Sequence, residues 1–108
     1  MTAQSPNGTD ELEPARAVRR ALAARNLKAR DVDLIAVWTN GPLGRERAEL
    51  AVTMGLGRFA ERVTAVFDQA DPFGYCAAAV ADGTASVAVA LLIDPIAGNR
   101  AVAYGGSR

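Results

Sequence analysis

The stretch Asp31–Leu50, DVDLIAVWTNGPLGRERAEL, decides how this chain folds. Asp33–Thr39, DLIAVWT, is apolar and rich in β-branched side chains, as a strand buried on both faces must be. Asn40, Gly41, Pro42 and Gly44 break that strand. Arg45–Met54 then reads as an amphipathic helix whose inner face is Ala48, Leu50, Ala51 and Met54. Strand, sharp turn and helix in direct succession form the first part of a βαβ unit, so the expected fold class is α/β.

Working outward, the same alternation continues on both sides. Upstream, residues 1–13 are polar and read as a disordered tail, so one domain is expected over residues 14–108. Pro14 suits the first turn of a helix, where its missing N–H costs nothing. Val18, Ala21, Leu22 and Ala24 form the stripe of that helix, and Asn26 ends it. Downstream, Gly55 and Gly57 end the second helix, and Val63–Phe67 is a second strand. DQADPFG is a loop, and Cys76–Ile93 reads as a third, Ala-rich helix stopped by Asp94-Pro95. Arg100–Tyr104 is a third strand. The expectation is a small mixed sheet of about three strands with three helices. Its strand edges lack partners, and an edge without a partner is an association site unless something covers it. The small side chains of the third helix suit close packing on several sides.

Composition narrows the function classes. The 108 residues carry 12 Lys and Arg against 12 Asp and Glu, giving a formal net charge of zero. A nucleic-acid binder shows a basic excess or stripe, so that class is not expected. One cysteine, Cys76, allows no internal disulfide. One Cys and no His leave only carboxylates as metal ligands, so no metal and no cofactor are expected. The opening MTAQSPNGTDELEP has no apolar segment, which predicts no signal peptide. The longest apolar run, Ala85–Ile93, is about half of a membrane span. These readings predict a cytoplasmic protein with no membrane association.

ARNLKARDVDLIAVWTNGPLGRERAELA resembles, in order and spacing, the C-terminal half of a β-ketoacyl synthase or chain-length factor of the thiolase superfamily. There a D-V-D-type turn leads through a buried strand into H-G-T-G-T-P-L-G-D. Pro42, Leu43 and Gly44 match P-L-G, which places Val37 at the family's histidine and Arg45 at its acidic residue. VTAVFDQADPFGYCAAAVADGTASVAVALL stands where the family has K-S-N-I-G-H and a small-residue helix, but holds no Lys or His. AVAYGGSR is similar to the strand and glycine turn of G-F-G-G-T-N. The resemblance implies a partial thiolase-like half-domain, truncated, lacking the nucleophile half and the final strand.

Condensation in that family needs a thiolate and two basic groups. Val37 supplies neither, so no activity is expected of the chain alone. Cys76 is the one weak catalytic candidate. The dipole at the start of its helix could lower its pKa, whereas the plainer reading is a small buried hydrophobe beside Ala77, Ala78 and Ala79. Trp38, Phe73, Tyr75, Tyr104, Gly105 and Gly106 are candidates for contacting an acyl ligand; for the aromatics a core or interface role competes. The GPLGRE turn, with Arg45 and Arg47, reads either as an anion site or as a structural turn. Arg16, Arg19 and Arg20 are candidates for docking an acidic acyl carrier protein; a solvated helix face is the plainer reading.

These readings lead to an expectation of a non-catalytic, ketosynthase-like accessory protein in polyketide or fatty-acid-type biosynthesis. Its expected partner is a ketosynthase or chain-length factor, in a hetero-oligomer. Two alternatives stay open: a subunit of a composite condensing enzyme, and a stand-alone module binding an acyl carrier protein or acyl ligand.

Overall fold

The computed structural model describes residues 6–41 and 44–106. Met1–Ser5 of the expected tail, Pro42 and Leu43 of the turn, and Ser107 lie outside the described residues. The elements are α1 (Pro6–Ala24), β1 (Leu34–Thr39), α2 (Gly44–Leu56), β2 (Thr64–Phe67), α3 (Pro72–Ala81), β3 (Val87–Ile93) and β4 (Arg100–Gly105), with short 3-10 turns at Ala29–Asp31 and Gly57–Arg62. Among the described residues no helix is long and apolar enough to cross a membrane.

The four strands form one mixed sheet in the order β2-β1-β3-β4. β1 pairs in parallel with β2 and β3, and β4 runs antiparallel to β3. The crossover from β2 through α3 to β3 therefore passes over β1. α1 and α2 cover one face of the sheet and α3 covers the other.

The fold class is α/β, as the sequence predicts, but the sheet has a strand more than expected. The expected helix over Cys76–Ile93 is two elements. α3 ends at Ala81, where the Asp82 carboxylate accepts hydrogen bonds from the Thr84 N–H and hydroxyl. Gly83 takes φ +86°, which turns the chain into the central strand β3. The side chains of β3 alternate, with Val87, Val89, Leu91 and Ile93 toward α1 and α2, and Ala88 and Ala90 toward α3. Asp94-Pro95 thus stops a strand instead of a helix. Alanine favours helix intrinsically, but pairing on both sides within a buried sheet outweighs that preference. With residues 76–93 divided, the expected match of this segment to one small-residue helix does not hold.

Readings of the helix bounds and of their buried faces also change. α1 begins at Pro6, so Pro14 lies inside it and residues 6–13 are helical instead of a disordered tail. Ala24 is exposed, and the buried face of α1 is Pro14, Ala15, Ala17, Val18 and Leu22. On α2 the inner face is Ala48, Ala51, Val52, Gly55 and Leu56, while Leu50 is 41% exposed. Gly55 belongs to that face because α1 crosses there. A Cβ on it would meet Val18 at 3.2 Å. The end of α1 is as predicted, with Asn26 at φ 60° in the left-handed region.

The two faces of the sheet differ in side-chain size. Ile35, Val37, Val89, Leu91 and Ile93 fill the space under α1 and α2. Ala36, Ala88, Ala90, Ala79 and Cys76 line the other side. Small residues on both partners let α3 seat against the sheet. Asp33 joins the starts of the strands: its carboxylate accepts from the Ser86 and Val87 N–H groups at 2.6 and 3.2 Å. Its own N–H donates to Val87 O, and its carbonyl accepts from the Thr64 N–H.

Candidate functional site

The chain leaves β1 toward α2 on one face of the sheet and leaves β2 toward α3 on the other. Adjacent parallel strands whose connections part in this way leave a crevice at their C-terminal ends, the usual ligand position in open α/β sheets. Here the crevice is a cavity of about 90 Å³ lined by Val37, Trp38, Thr39, Gly44, Arg45, Ala48, Phe67 and Asp68. Thr39 Oγ1 is buried in it and makes no hydrogen bond among the described residues. Asp68 ends β2 at φ 68°, an uncommon conformation for a residue other than glycine. The N-terminus of α2 opens onto the same space.

The polar groups here are largely committed to the fold. The Arg45 guanidinium lies 4.4 Å from the centre of the Phe67 ring, and its Nε donates to Glu49 at 3.0 Å. The Trp38 Nε1–H donates to Asn40 Oδ1 at 2.8 Å, and the Asn40 amide donates to Asp94 at 3.2 Å. The N–H groups of Ala97 and Ile96, then the Asn40 amide, hold the Asp94 carboxyl below its ordinary pKa. This network ties the ends of β1 and β3 together.

Cys76 lies elsewhere, in the layer between α3 and the sheet. It is fully buried, and its thiol donates to Val89 O at 3.3 Å. Burial pushes its pKa up from 9.0 to about 11, and a hydrogen bond with the Ala36 backbone offsets only part of that. The thiolate, which is the nucleophilic form, is thus suppressed. Among the described residues no three His, Cys, Asp or Glu side chains are grouped to hold a metal ion.

The fold does not bring the other candidates together. Trp38 stands at the crevice end of the sheet. Phe73, in the first turn of α3, lies under the Arg100 guanidinium at 4.6 Å. Tyr75 is 39% exposed on the outer side of α3. Tyr104 is half-buried against the α3 side of the sheet, and burial raises its pKa. Gly105 and Gly106 sit at the opposite end of the sheet, beside Ser86 and Leu27. Their φ angles of 88° and 74° show why glycine stands there.

The arginines of α1 lie on the far side from α3. Arg16 and Arg20 approach Glu13 at 3.7 and 3.8 Å. Arg19 donates to Met54 O at 2.7 Å, satisfying a carbonyl near the end of α2. Thr39, Phe67 and Asp68 were not legible as crevice residues. The signal for them is that each closes a strand, but the neighbourhood of those strands is set by the sheet order.

Helices on both faces of this mixed sheet give the chain a ketosynthase-like, thiolase-type α/β fold. The particular likeness is to the crystal structure of the priming β-ketosynthase from the R1128 polyketide biosynthetic pathway. The TM-score is 0.63 at 19% sequence identity, over 83% of this chain. That match spans 28% of the ketosynthase chain. No protein-family profile matches the sequence, and no curated protein does.

Proposed function

We propose that this chain is a non-catalytic, ketosynthase-like accessory protein of polyketide or fatty-acid-type biosynthesis that binds a ketosynthase or chain-length-factor partner. The observation that carries this reading is the burial of Cys76. The one thiol of the chain points into the sheet, hydrogen-bonded to Val89 O and held protonated. Among the described residues, the crevice at the strand ends offers a hydroxyl, a guanidinium bridged to Glu49 and the Asp68 carboxylate. Acyl transfer and decarboxylation need a nucleophile and proton-transfer groups in one place.

The outer side of α3 supports a partner. Gly74, Ala77, Ala78 and Ala81 are exposed there, so a second element can approach the helix closely. Co-expression with ketosynthase and chain-length-factor proteins, followed by the mass of the purified complex, tests the reading. A stable complex is expected, and it should be lost on Ala78→Arg. A chain that elutes apart from every such protein overturns it.

The Thr39 hydroxyl, without a partner among the described residues, favours a second reading, an acyl-ligand binding module acting at the crevice. Binding of an acyl thioester to the isolated chain, weakened by Thr39→Val, would favour it over the first.

A further inference from the structure

Asn40 and Gly41 stand where β1 leaves the sheet, and both are exposed. The Asn40 side chain joins β1 to the turn after β3. Its Oδ1 accepts from the Trp38 Nε1–H, and its amide donates to Asp94 Oδ2. The other oxygen of that carboxylate, Oδ1, accepts from the Ile96 and Ala97 N–H groups at 2.9 and 3.0 Å. Asp94 is thereby fixed within its own turn, and the Asn40 N–H donates to Ile93 O at 2.9 Å.

A glycine after an asparagine or aspartate leaves its nitrogen open to attack the preceding side chain, because no Cβ blocks the approach. The chain has three such pairs, Asn7–Gly8, Asn40–Gly41 and Asp82–Gly83. Asn7–Gly8 lies in the helical backbone of α1. At the third pair, Gly83 N–H donates to Val80 O and the Asp82 carboxylate is held by Thr84. Gly41 lies outside every helix and strand, at φ +104°. Its N–H makes no hydrogen bond among the described residues.

We infer that Asn40–Gly41 is a self-modification site whose product frees the end of β1 from the β3–β4 turn. The Gly41 nitrogen gives its proton to water and bonds to Asn40 Cγ. The Cγ–Nδ2 bond breaks and ammonia leaves, closing a succinimide ring. Water then adds to one ring carbonyl, and opening gives aspartate or isoaspartate at position 40. One water is consumed and one ammonia released, so no oxidant or cofactor is required. Either product puts a carboxylate where a donor stood. The new carboxylate still accepts from Trp38, but it faces the Asp94 carboxylate, and like charges at that range repel. Asp94 is held by two N–H groups, so position 40 is the side that moves. The isoaspartate form also adds a methylene to the main chain ahead of Gly41, beside Pro95. Trp38 and Thr39, in the crevice wall, lose their tie to the turn.

The reaction needs no partner, so the experiment uses the isolated chain, aged in mildly alkaline buffer and digested for mass spectrometry. The Asn40 peptide should gain the amide-to-acid mass difference and split into two chromatographic forms. Its rate should exceed that at Asn26 and Asn99 by at least about tenfold, since Leu27 and Arg100 carry side chains and Leu27 N–H is already bonded to Leu22 O. N40D stands in for one product. Amide exchange at position 40 should rise about tenfold in N40D, with a change in Trp38 fluorescence. In N40D/D94N donor and acceptor change places, because the amide at 94 donates to the carboxylate at 40 while its oxygen still accepts from Ile96 and Ala97. Exchange should then return to the parent rate. An Asn40 peptide that keeps its mass, conversion no faster than at Asn26 and Asn99, parent-like exchange in N40D, or no rescue in N40D/D94N overturns the inference.

Discussion

Cys76 should behave as a core atom whose ionisation weakens the fold. In a flexible chain its thiol would titrate at 9.0, and in the fold it titrates at about 11. At pH 8 that shift lowers the thiolate fraction from about one-tenth to about one-thousandth, roughly 100-fold. Burial against Val89 adds a steric block. Labelling by a disulfide reagent should therefore be at least about 100-fold slower in native buffer than in denaturant. The same shift sets a pH dependence. Between pH 9 and 11 the folded chain holds the thiol proton that the unfolded chain has released. Stability should thus be fully present below pH 9 and fall as pH rises to 11, by about 2–3 kcal/mol in total. Urea titrations at stepped pH, read by Trp38 fluorescence, measure that loss. Cys76→Ala should cost about 1 kcal/mol for the lost packing and should remove the thiol's part of the slope. Native labelling within tenfold of the denatured rate, or the same slope in the parent and in Cys76→Ala, would refute the reasoning.

Other perturbations have equally definite outcomes. Leu91→Ala should destabilise by about 3–4 kcal/mol in urea unfolding, because Leu91 is fully buried under the helix pair. Its neighbour points to the other side: Ala90→Leu should cost about 1–3 kcal/mol by overpacking under α3, so opposite changes of volume at adjacent positions both weaken the fold. Asp33→Ala removes two charge-assisted hydrogen bonds at the start of β3 and should cost about 2 kcal/mol, with faster amide exchange at Ser86 and Val87. Gly105→Ala should lower the melting temperature by at least several degrees, since a Cβ there strikes Ser86 O and the φ of 88° is strained for alanine.

Much of the backbone pattern can be read from local sequence. The apolar run after Asp33 forms β1, and Asn26 closes α1. Gly57, at φ 62°, ends α2 where a stop is expected. The error over Cys76–Ile93 has a physical source. VAVALLI carries a period-two alternation of large and small residues, but its alanines and its length after CAAAVA also satisfy a helix. Asp82, Gly83 and Thr84 hold the decisive turn, and their hydrogen bonds form only once the chain has bent. Leu50 misled in another way: helical spacing admits it to the inner face, but the direction from which α1 and the sheet approach leaves it outside.

The candidate site divides along the same line. Sequence alone determined that the chain has one thiol, no histidine and no net charge, because those are properties of composition. It also determined the α/β class, because hydrophobic period is a local property. The tertiary structure decided where the thiol points and which strand ends border the crevice. Those features arise from strands distant in the chain meeting in the order β2-β1-β3-β4. No local propensity encodes that order. It is set by which pairing buries most of the large side chains of β1 and β3 beneath two helices and leaves mainly alanines, with Leu34, beneath α3.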